Sequence, residues 1–384
     1  MTARLLLWVV LAVWGLFALT LGAIHLVIVP RIDETRPALE RWAGRALGVV
    51  VKIGAIEAQS EGPPGEGIGR FLPALVPSFG LREVRLYDPA GREALRLPQV
   101  DLSISVRSLW RLGFERLVID SPTLDVRRTA EGRIEVAGLD LSGNASEDNR
   151  AADWFFSQTE FLIRHGTVRW TDDLRQQPAL ALSDVGLLVR NGHRSHAFQL
   201  DATPPPLRGE RFSLRGRFRE PLLDLAAAVG RDKGKTPWHN WSGELYADFA
   251  RVDVGQLQPY LDLSQWGVST RSGTGRLRAW SDMKQGQLVA ATVDVSLNEL
   301  ITTLGPDLPE LAIAELNGRV NAQWSDAGFD VASDNLAFRT ADGLTWPGGA
   351  LRLKHERAQG GRPDSTSFSA DRLELAAVTA IATR

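Results

Sequence analysis

The side chains able to do chemistry are few and scattered. His193-Arg194-Ser195-His196 sets two histidines at a spacing that suits metal ligation, yet the pair falls in a turn between predicted strands with no third ligand nearby. Solvated loop histidines are the plainer reading. Gly65-Glu66-Gly67-Ile68-Gly69 is glycine-rich, but no strand-to-helix context and no following Gly-Lys-Ser/Thr mark a phosphate cradle. Asp172-Asp173 and Asp33-Glu34 are acidic pairs that lack the pocket and proton partner a general acid and base require, so turn and solvation roles are expected of them. No G-x-S-x-G elbow occurs, and the absence of cysteine excludes disulfides, thiolate zinc sites and cysteine nucleophiles. The expectation is a protein that is not an enzyme, with no catalytic residue, no metal and no cofactor.

Bulk properties narrow the field in the same direction. The 384 residues are 44% hydrophobic and 23% charged with a net charge of −2, which fits neither a disordered chain nor a polyanion binder. The positive charge is carried by arginine, with lysine confined to Lys52, Lys233, Lys235, Lys284 and Lys354. Arg211, Arg215, Arg217 and Arg219 form the densest basic stripe and read as the wet face of a strand. The 12 tryptophans follow the apolar phase of the pattern instead of a basic stripe, so no nucleic-acid partner is expected.

What the chain does carry is alternation. Val100, Leu102, Ile104 and Val106 alternate with Asp101, Ser103, Ser105 and Arg107, a period of two that separates them onto opposite faces of a strand. The pairs Val84/Leu86, Leu95/Leu97, Leu117/Ile119, Leu124/Val126 and Ile134/Val136 flank this run, divided by turn signals such as Asp88-Pro89-Ala90-Gly91 and Ser121-Pro122. The pattern returns at Phe161/Ile163, Val168/Trp170, Leu180/Leu182, Leu187/Val189 and Phe198/Leu200. It continues at Phe212/Leu214/Gly216/Phe218, at Gly243/Leu245/Ala247/Phe249, and at Val293/Val295/Leu297, Val320/Ala322/Trp324, Phe329/Val331, Leu336/Phe338 and Leu351/Leu353. A last run, Leu373-Glu374-Leu375, leads into the C-terminus with no closing element.

Before the strands, residues 5–29 form a run without charged side chains, interrupted by His25 and bounded by Arg4 and Pro30-Arg31. At about 1.5 Å per residue it spans roughly 37 Å, enough to cross a bilayer core of about 30 Å with tilt. It is too long for the apolar part of a cleaved signal peptide, and an uncleaved anchor is expected. Arg31, Arg36, Arg41 and Arg45 after the span oppose an external placement of the bulk of the chain, while long domains translocate regardless of flanking charge, so the charges leave orientation open. Residues 36–48 predict a short amphipathic helix with Pro37 in its first turn and Gly48 at its end. Leu39, Trp42, Ala43, Ala46 and Leu47 share one face, which either packs on the sheet or lies on a membrane surface. Residues 49–56 predict the first strand, 61–77 and 230–235 loops, and 149–158 a second short helix.

Roughly twenty one-sided strands at about 4.8 Å each make a sheet on the order of 100 Å along its stacking direction. Its apolar face needs a cover, and the few short helices are too small to provide one. The sheet must close as a sandwich, coil as a solenoid, or curl into a trough that holds an apolar ligand. With an anchor at one end the trough is favoured, because an acyl chain moving into it from a bilayer keeps most of the roughly 0.8 kcal/mol per methylene that burial supplies. The expected trough residues are Val100, Leu102, Ile104, Val106, Leu117, Ile119, Phe161, Ile163, Val168, Trp170, Phe198, Leu200, Phe212, Leu214, Phe218, Leu245 and Phe249. The competing expectation is a structural or adaptor protein whose sheet closes into dry sandwich sections and recruits other proteins.

The run GLREVRLYDPAGREALRLPQVDLSISVRSLW at residues 80–110, the entry strand at 48–54 and LVIDSPTLDVRRTAEGRI at 117–134 resemble AsmA-like proteins. DWFFSQTEFLIRHGTVRWTDD at 153–173 is similar to a helix-then-strand junction of the YhdP branch, and the likeness continues through 187–191 and 198–218. It covers most of residues 5–220 well and the rest loosely. The resemblance implies a mostly β protein: an N-terminal transmembrane helix (1–30), a short amphipathic helix (31–48), a first section of β groove (49–145), then a helix and a continuing groove (146–384). It implies a taco-like antiparallel groove held in the periplasm by a single pass through the inner membrane, with phospholipids and envelope proteins as partners and a part in phospholipid transport towards the outer membrane. Proteins of that branch are several times longer, so the chain is expected to be an N-terminal portion that lacks the C-terminal AsmA-like part and does not bridge two membranes alone.

Overall fold

The computed structural model describes residues 8, 11, 15, 32–59, 78–87, 91, 93–104, 113–136, 139–140, 158–221, 240–257, 269–303, 308–358 and 363–371. All but three isolated positions of the expected anchor, the loops expected at 61–77 and 230–235, residues 149–157 of the expected second helix, Val106 and Leu373-Glu374-Leu375 lie outside them. Among the described residues no helix is long and apolar enough to cross a membrane. The chain is mostly β and divides into two compact units, Met1–Arg127 with Arg133–Thr167, and Arg128–Gly132 with Val168–Arg384.

The first unit opens with helix α1 (Ile32–Leu47), followed by β1 (Val50–Lys52), β2 (Ala55–Gln59), β3 (Ser78–Tyr87), β4 (Glu93–Ser103), β5 (Arg116–Asp120), β6 (Thr123–Arg128), β7 (Ile134–Val136) and β8 (Leu139–Asp140). Strand β9 (Glu160–Asp172) begins here and ends in the second unit. Helix α1 starts four residues before the expected position, so Pro37 sits inside it, where its ring can offer no N–H to the carbonyl four residues back. Gly48, with φ of 73°, ends the helix in the left-handed conformation that glycine adopts without a Cβ clash. The helix is tied to the strands by charge: Glu40 accepts the Ile53 amide at 2.9 Å and pairs with Lys52 at 3.4 Å, while Arg36 donates to the Gly54 carbonyl at 2.8 Å.

The single strand expected over 49–56 is instead two. The chain breaks at Gly54, whose N–H reaches the Arg82 carbonyl at 3.0 Å, and a Cβ there would lie 2.9 Å from that same oxygen. Leu95/Leu97 and Val100/Leu102, expected on separate strands, share β4. The alternation slips where Pro98, which has no N–H, stands opposite Glu83 in the left-handed region at φ 51°. On one side of that slip the pairing stacks two apolar rows, Phe79–Leu102–Leu117–Phe161 and Leu81–Val100–Ile119–Ile163. All eight are buried. The last step of each row is a parallel pairing of β5 with β9, so the mostly antiparallel sheet that was expected is a mixed one. Buried Gln158 helps start that pair by accepting the Phe114 amide at 2.7 Å.

The second unit continues with β10 (Gln177–Asn191), β11 (Ser195–Thr203), β12 (Phe212–Arg219), β13 (Ser242–Asp253), the short helix α2 (Val254–Leu257), β14 (Ser269–Lys284), β15 (Gln287–Thr303), β16 (Leu311–Ser325), β17 (Gly328–Thr340), β18 (Thr345–Trp346), β19 (Leu351–Glu356) and β20 (Ser365–Ala370). From β10 to β17 each strand pairs antiparallel with the next, and β17 then pairs with β19, which pairs with β20. Strands β14 and β20 were not foreseen. Their apolar positions are short or isolated, as in Arg276-Leu277-Arg278-Ala279 and Ser367-Phe368-Ser369, and pairing with the apolar positions of neighbouring strands supplies what their own pattern lacks.

The docking of α1 is directly testable. Glu40→Ala removes the acceptor of the Ile53 amide and is expected to speed hydrogen exchange at that amide by about tenfold, equivalent to about 1.4 kcal/mol of local stability. Unchanged exchange would mean that apolar contact alone holds the helix.

Candidate functional site

Strand register in the second unit builds one apolar face. One row runs Leu187–Leu200–Leu214–Ala247–Ala279–Val293–Val320, and the row beside it runs Val189–Phe198–Gly216–Leu245–Ser281–Ala291–Ala322–Val331–Leu353–Phe368. Most of these side chains are half-buried, and Phe368 at the outermost strand is 59% exposed. The opposite face is polar and pairs its charges across strands: Arg319 with Asp294 at 2.5 Å, Arg352 with Asp330 at 2.5 Å and Arg276 with Asp248 at 3.5 Å. Substantial contacts between described elements of this unit run between strands that are neighbours in the sheet, with α2 against β14 the exception. The sheet is therefore a single layer, wet on one face and apolar on the other.

Bulges decide where the apolar face closes. Gly273 stands unpaired against β15 beside Glu299 (φ 54°), and Gly318 stands unpaired against β17 beside Asn335 (φ 52°), so the alternation slips by one along these strands. At and past the slips Leu297, Leu300, Leu311 and Ile313 make a small buried core with Val254 of α2 packed on it. Before them the rows stay open.

Part of the open face forms a cavity of about 370 Å³ where β9 and β10 curl opposite β12 and β13. Val168, Trp170, Leu180 and Leu182 form one wall, and Phe212, Leu214, Phe249 and Val252 the other. The Phe212 and Phe249 rings stack at 5.2 Å between centroids. Farther along the same face the Phe198 and Phe218 rings lie 6.2 Å apart and nearly parallel over Gly216, where a Cβ would meet Phe198 at 2.4 Å. Charged groups gather at the cavity rim: Arg128, Asp172, Arg208, Glu210 and Arg251. Arg128 holds the buried Asp172 carboxylate through both its oxygens, and the Arg175 amide adds a bond at 3.1 Å. Burial pushes the Asp172 carboxyl up, but these donors outweigh it and hold it below the ordinary aspartate range.

The expected trough residues fall into two groups. Val100, Leu102, Leu117, Ile119, Phe161 and Ile163 are buried in the packed rows of the first unit, and Ile104 is half-buried just past β4. Val168, Trp170, Phe212, Leu214 and Phe249 meet in the cavity, while Phe198, Leu200, Phe218 and Leu245 extend the same open face beyond it. Sequence reasoning left out Leu180, Leu182 and Val252, although the first two stood in a recognised alternating run. It read Asp172 as a turn residue, because nothing local announces a partner 44 positions away at Arg128. The two histidines do not converge: His193 is exposed, whereas buried His196 meets Asn191 and Glu220 at 2.8 Å each and stacks on Trp241 at 4.0 Å. Among the described residues no cluster of metal-ligating side chains occurs. The arginine stripe is exposed as expected, with Arg211 paired to Asp184 at 2.6 Å.

A mostly β chain with few helices is what the family resemblance implied, and the comparison with family models agrees on the family: the model for the YhdP protein matches residues 1–384. The chain belongs to the YhdP family. No curated protein and no solved structure matches it. Within this YhdP-family chain the Arg128–Asp172 pair ties Arg128 to the end of β9 beside the cavity. Asp172→Asn is expected to cost about 1.5–3 kcal/mol, measured as a lower urea midpoint for the second unit. Because the folded Asp172 pKa is lowered, its contribution is complete above the ordinary aspartate pKa and is lost as pH falls through the folded value. The gap between wild type and variant should therefore narrow as the solution is acidified below the ordinary aspartate range.

Proposed function

We propose that this YhdP-family protein holds lipid acyl chains along the open apolar face of its second unit and thereby contributes to phospholipid transport towards the outer membrane. The observation that carries the reading is the single-layer sheet, whose apolar rows extend from Leu187 to Phe368 without a second described layer packed along them. Apolar surface of that extent is costly in water at about 25 cal/mol per Å², and a fatty chain laid across the rows removes it. The polar face, with its cross-strand ion pairs, suits contact with water. In this reading no bond is made or broken, the inner membrane is the source of lipid, the anchor at residues 5–29 keeps the groove there, and the bulk of the chain lies in the periplasm.

The alternative, a structural or adaptor role, draws on the first unit. There the apolar rows are buried like a conventional core and present little open surface. The two readings separate on one experiment. Photoreactive residues placed in intact cells at Phe198, Leu214 and Leu245, with controls at Arg215, Arg217 and Glu244 on the opposite face, are expected to yield phospholipid adducts from the first set only. Adducts to protein alone at the apolar positions would sink the lipid reading and favour the adaptor.

A further inference from the structure

We propose that the charged rim of the cavity is a head-group site selective for amphiphiles whose head carries a net negative charge, a phosphodiester without a cationic substituent or a carboxylate. The inference rests on the lipid-holding reading above and adds where the polar end sits. Three arginines and two carboxylates ring the cavity, which leaves one net positive charge over an apolar floor. Arg128 and Asp172 are committed to each other by a bidentate bond. The remaining set is Arg208, Glu210 and Arg251, in which the Arg251–Glu210 pair is long, at 3.8 Å, and both members are more than half exposed. Such a pair contributes little on its own, so an arriving anion can take Arg251 at small cost.

The backbone holds these side chains at the rim. The loop after Thr203 carries Pro204, Pro205 and Pro206, which fix φ at three successive positions, and it turns back with the Arg208 amide on the Pro205 carbonyl at 2.8 Å. It is then fastened to the end of β13: Gly209 bridges Val252, Glu210 N–H donates to the Arg251 carbonyl at 3.0 Å, and Asp253 N–H donates to the Arg208 carbonyl at 3.2 Å. That approach needs glycine at 209, since a Cβ would lie 2.6 Å from the Arg251 oxygen. Next to this fastening β13 bulges between Phe249 and Val252, which puts Arg251 at the rim while Phe249 lies on the floor. A guanidinium offers donors in a planar fork that fits both phosphodiester and carboxylate oxygens, and the bond is strengthened beside an apolar cavity. The tail then runs over Phe212, Leu214 and Phe249.

The test uses the full chain in detergent carrying a photoreactive residue at Leu214, mixed with vesicles of phosphatidylglycerol, of phosphatidylcholine, or of phosphatidylcholine with oleate. The adduct from phosphatidylglycerol or oleate is expected to exceed that from phosphatidylcholine by about tenfold, with the favoured anion identifying the head group. Arg251→Gln should remove most of that preference and Arg251→Lys should restore part of it. Equal adducts from all three vesicles would overturn the head-group site and leave the trough standing. No adduct from any of them would overturn both. The comparison among lipids on the unsubstituted rim decides the matter even where the Gln variant folds poorly.

Discussion

A sheet one layer thick can bury only what its own neighbouring side chains cover. In the second unit adjacent strands are linked by backbone hydrogen bonds across pairs such as Leu200–Leu214 and Val293–Val320, and each apolar side chain gains shelter from the ones beside it in the row. The face as a whole stays half-buried, because a second layer is what would normally finish the job. Every other feature of this unit follows from that deficit. The outer face must be polar enough to stay wet, which the Arg319–Asp294 and Arg352–Asp330 pairs secure, and the inner face must curl towards itself or be covered by something else.

Curling and closure are controlled by the backbone at a handful of places. Gly273 with Glu299 and Gly318 with Asn335 slip the alternation, and the same strands that are open on one side of the slip close around Leu300 and Ile313 on the other. The first unit uses the device differently. There the Glu83–Pro98 slip lets two apolar runs share a strand, and the rows through Leu102 and Val100 end up buried. Alternation is thus common to both units, and what separates a closed core from an open face is the company each row keeps.

That distinction explains what could be read from the residues alone. The β class, the one-sidedness of the strands and the wet arginine stripe follow from period-two patterning, which acts locally and is visible in any window of a few residues. Phe212, Leu214 and Phe249 could be placed on one face for the same reason. Whether a face is covered is not local: Leu102 and Leu214 carry the same side chain in similar runs, yet one is buried and the other lines a cavity. The parallel pairing of β5 with β9 joins segments more than forty residues apart, and the Arg128–Asp172 pair spans a similar distance, so neither leaves a mark in a short window. Strand β14 escaped notice because Leu277 and Ala279 need Val295 and Val293 beside them to count as apolar rows.

Side-chain size along the rows gives the trough a direction. On β10 to β12 the first row carries Leu187, Leu200 and Leu214, and the aromatic rings of Phe198, Phe212, Phe218 and, on β13, Phe249 stand near them. From β13 to β16 the same rows carry Ala247, Ala279, Ser281, Ala291 and Ala322 between Leu245, Val293 and Val320. Bulky groups raise the floor and narrow the lumen at the cavity, whereas small ones lower the floor beyond it. On the proposed reading, an acyl chain sliding from one strand to the next would exchange like contacts for like, and since each methylene is worth about 0.8 kcal/mol wherever it is sheltered, no single row would become a deep trap. The aromatic end grips more surface per methylene and has charges at its rim, so it suits retention, and the alanine-rich stretch suits passage. On the proposed lipid-holding reading, a groove built this way would hold an acyl chain at one end and let it move along the other without any change in the backbone.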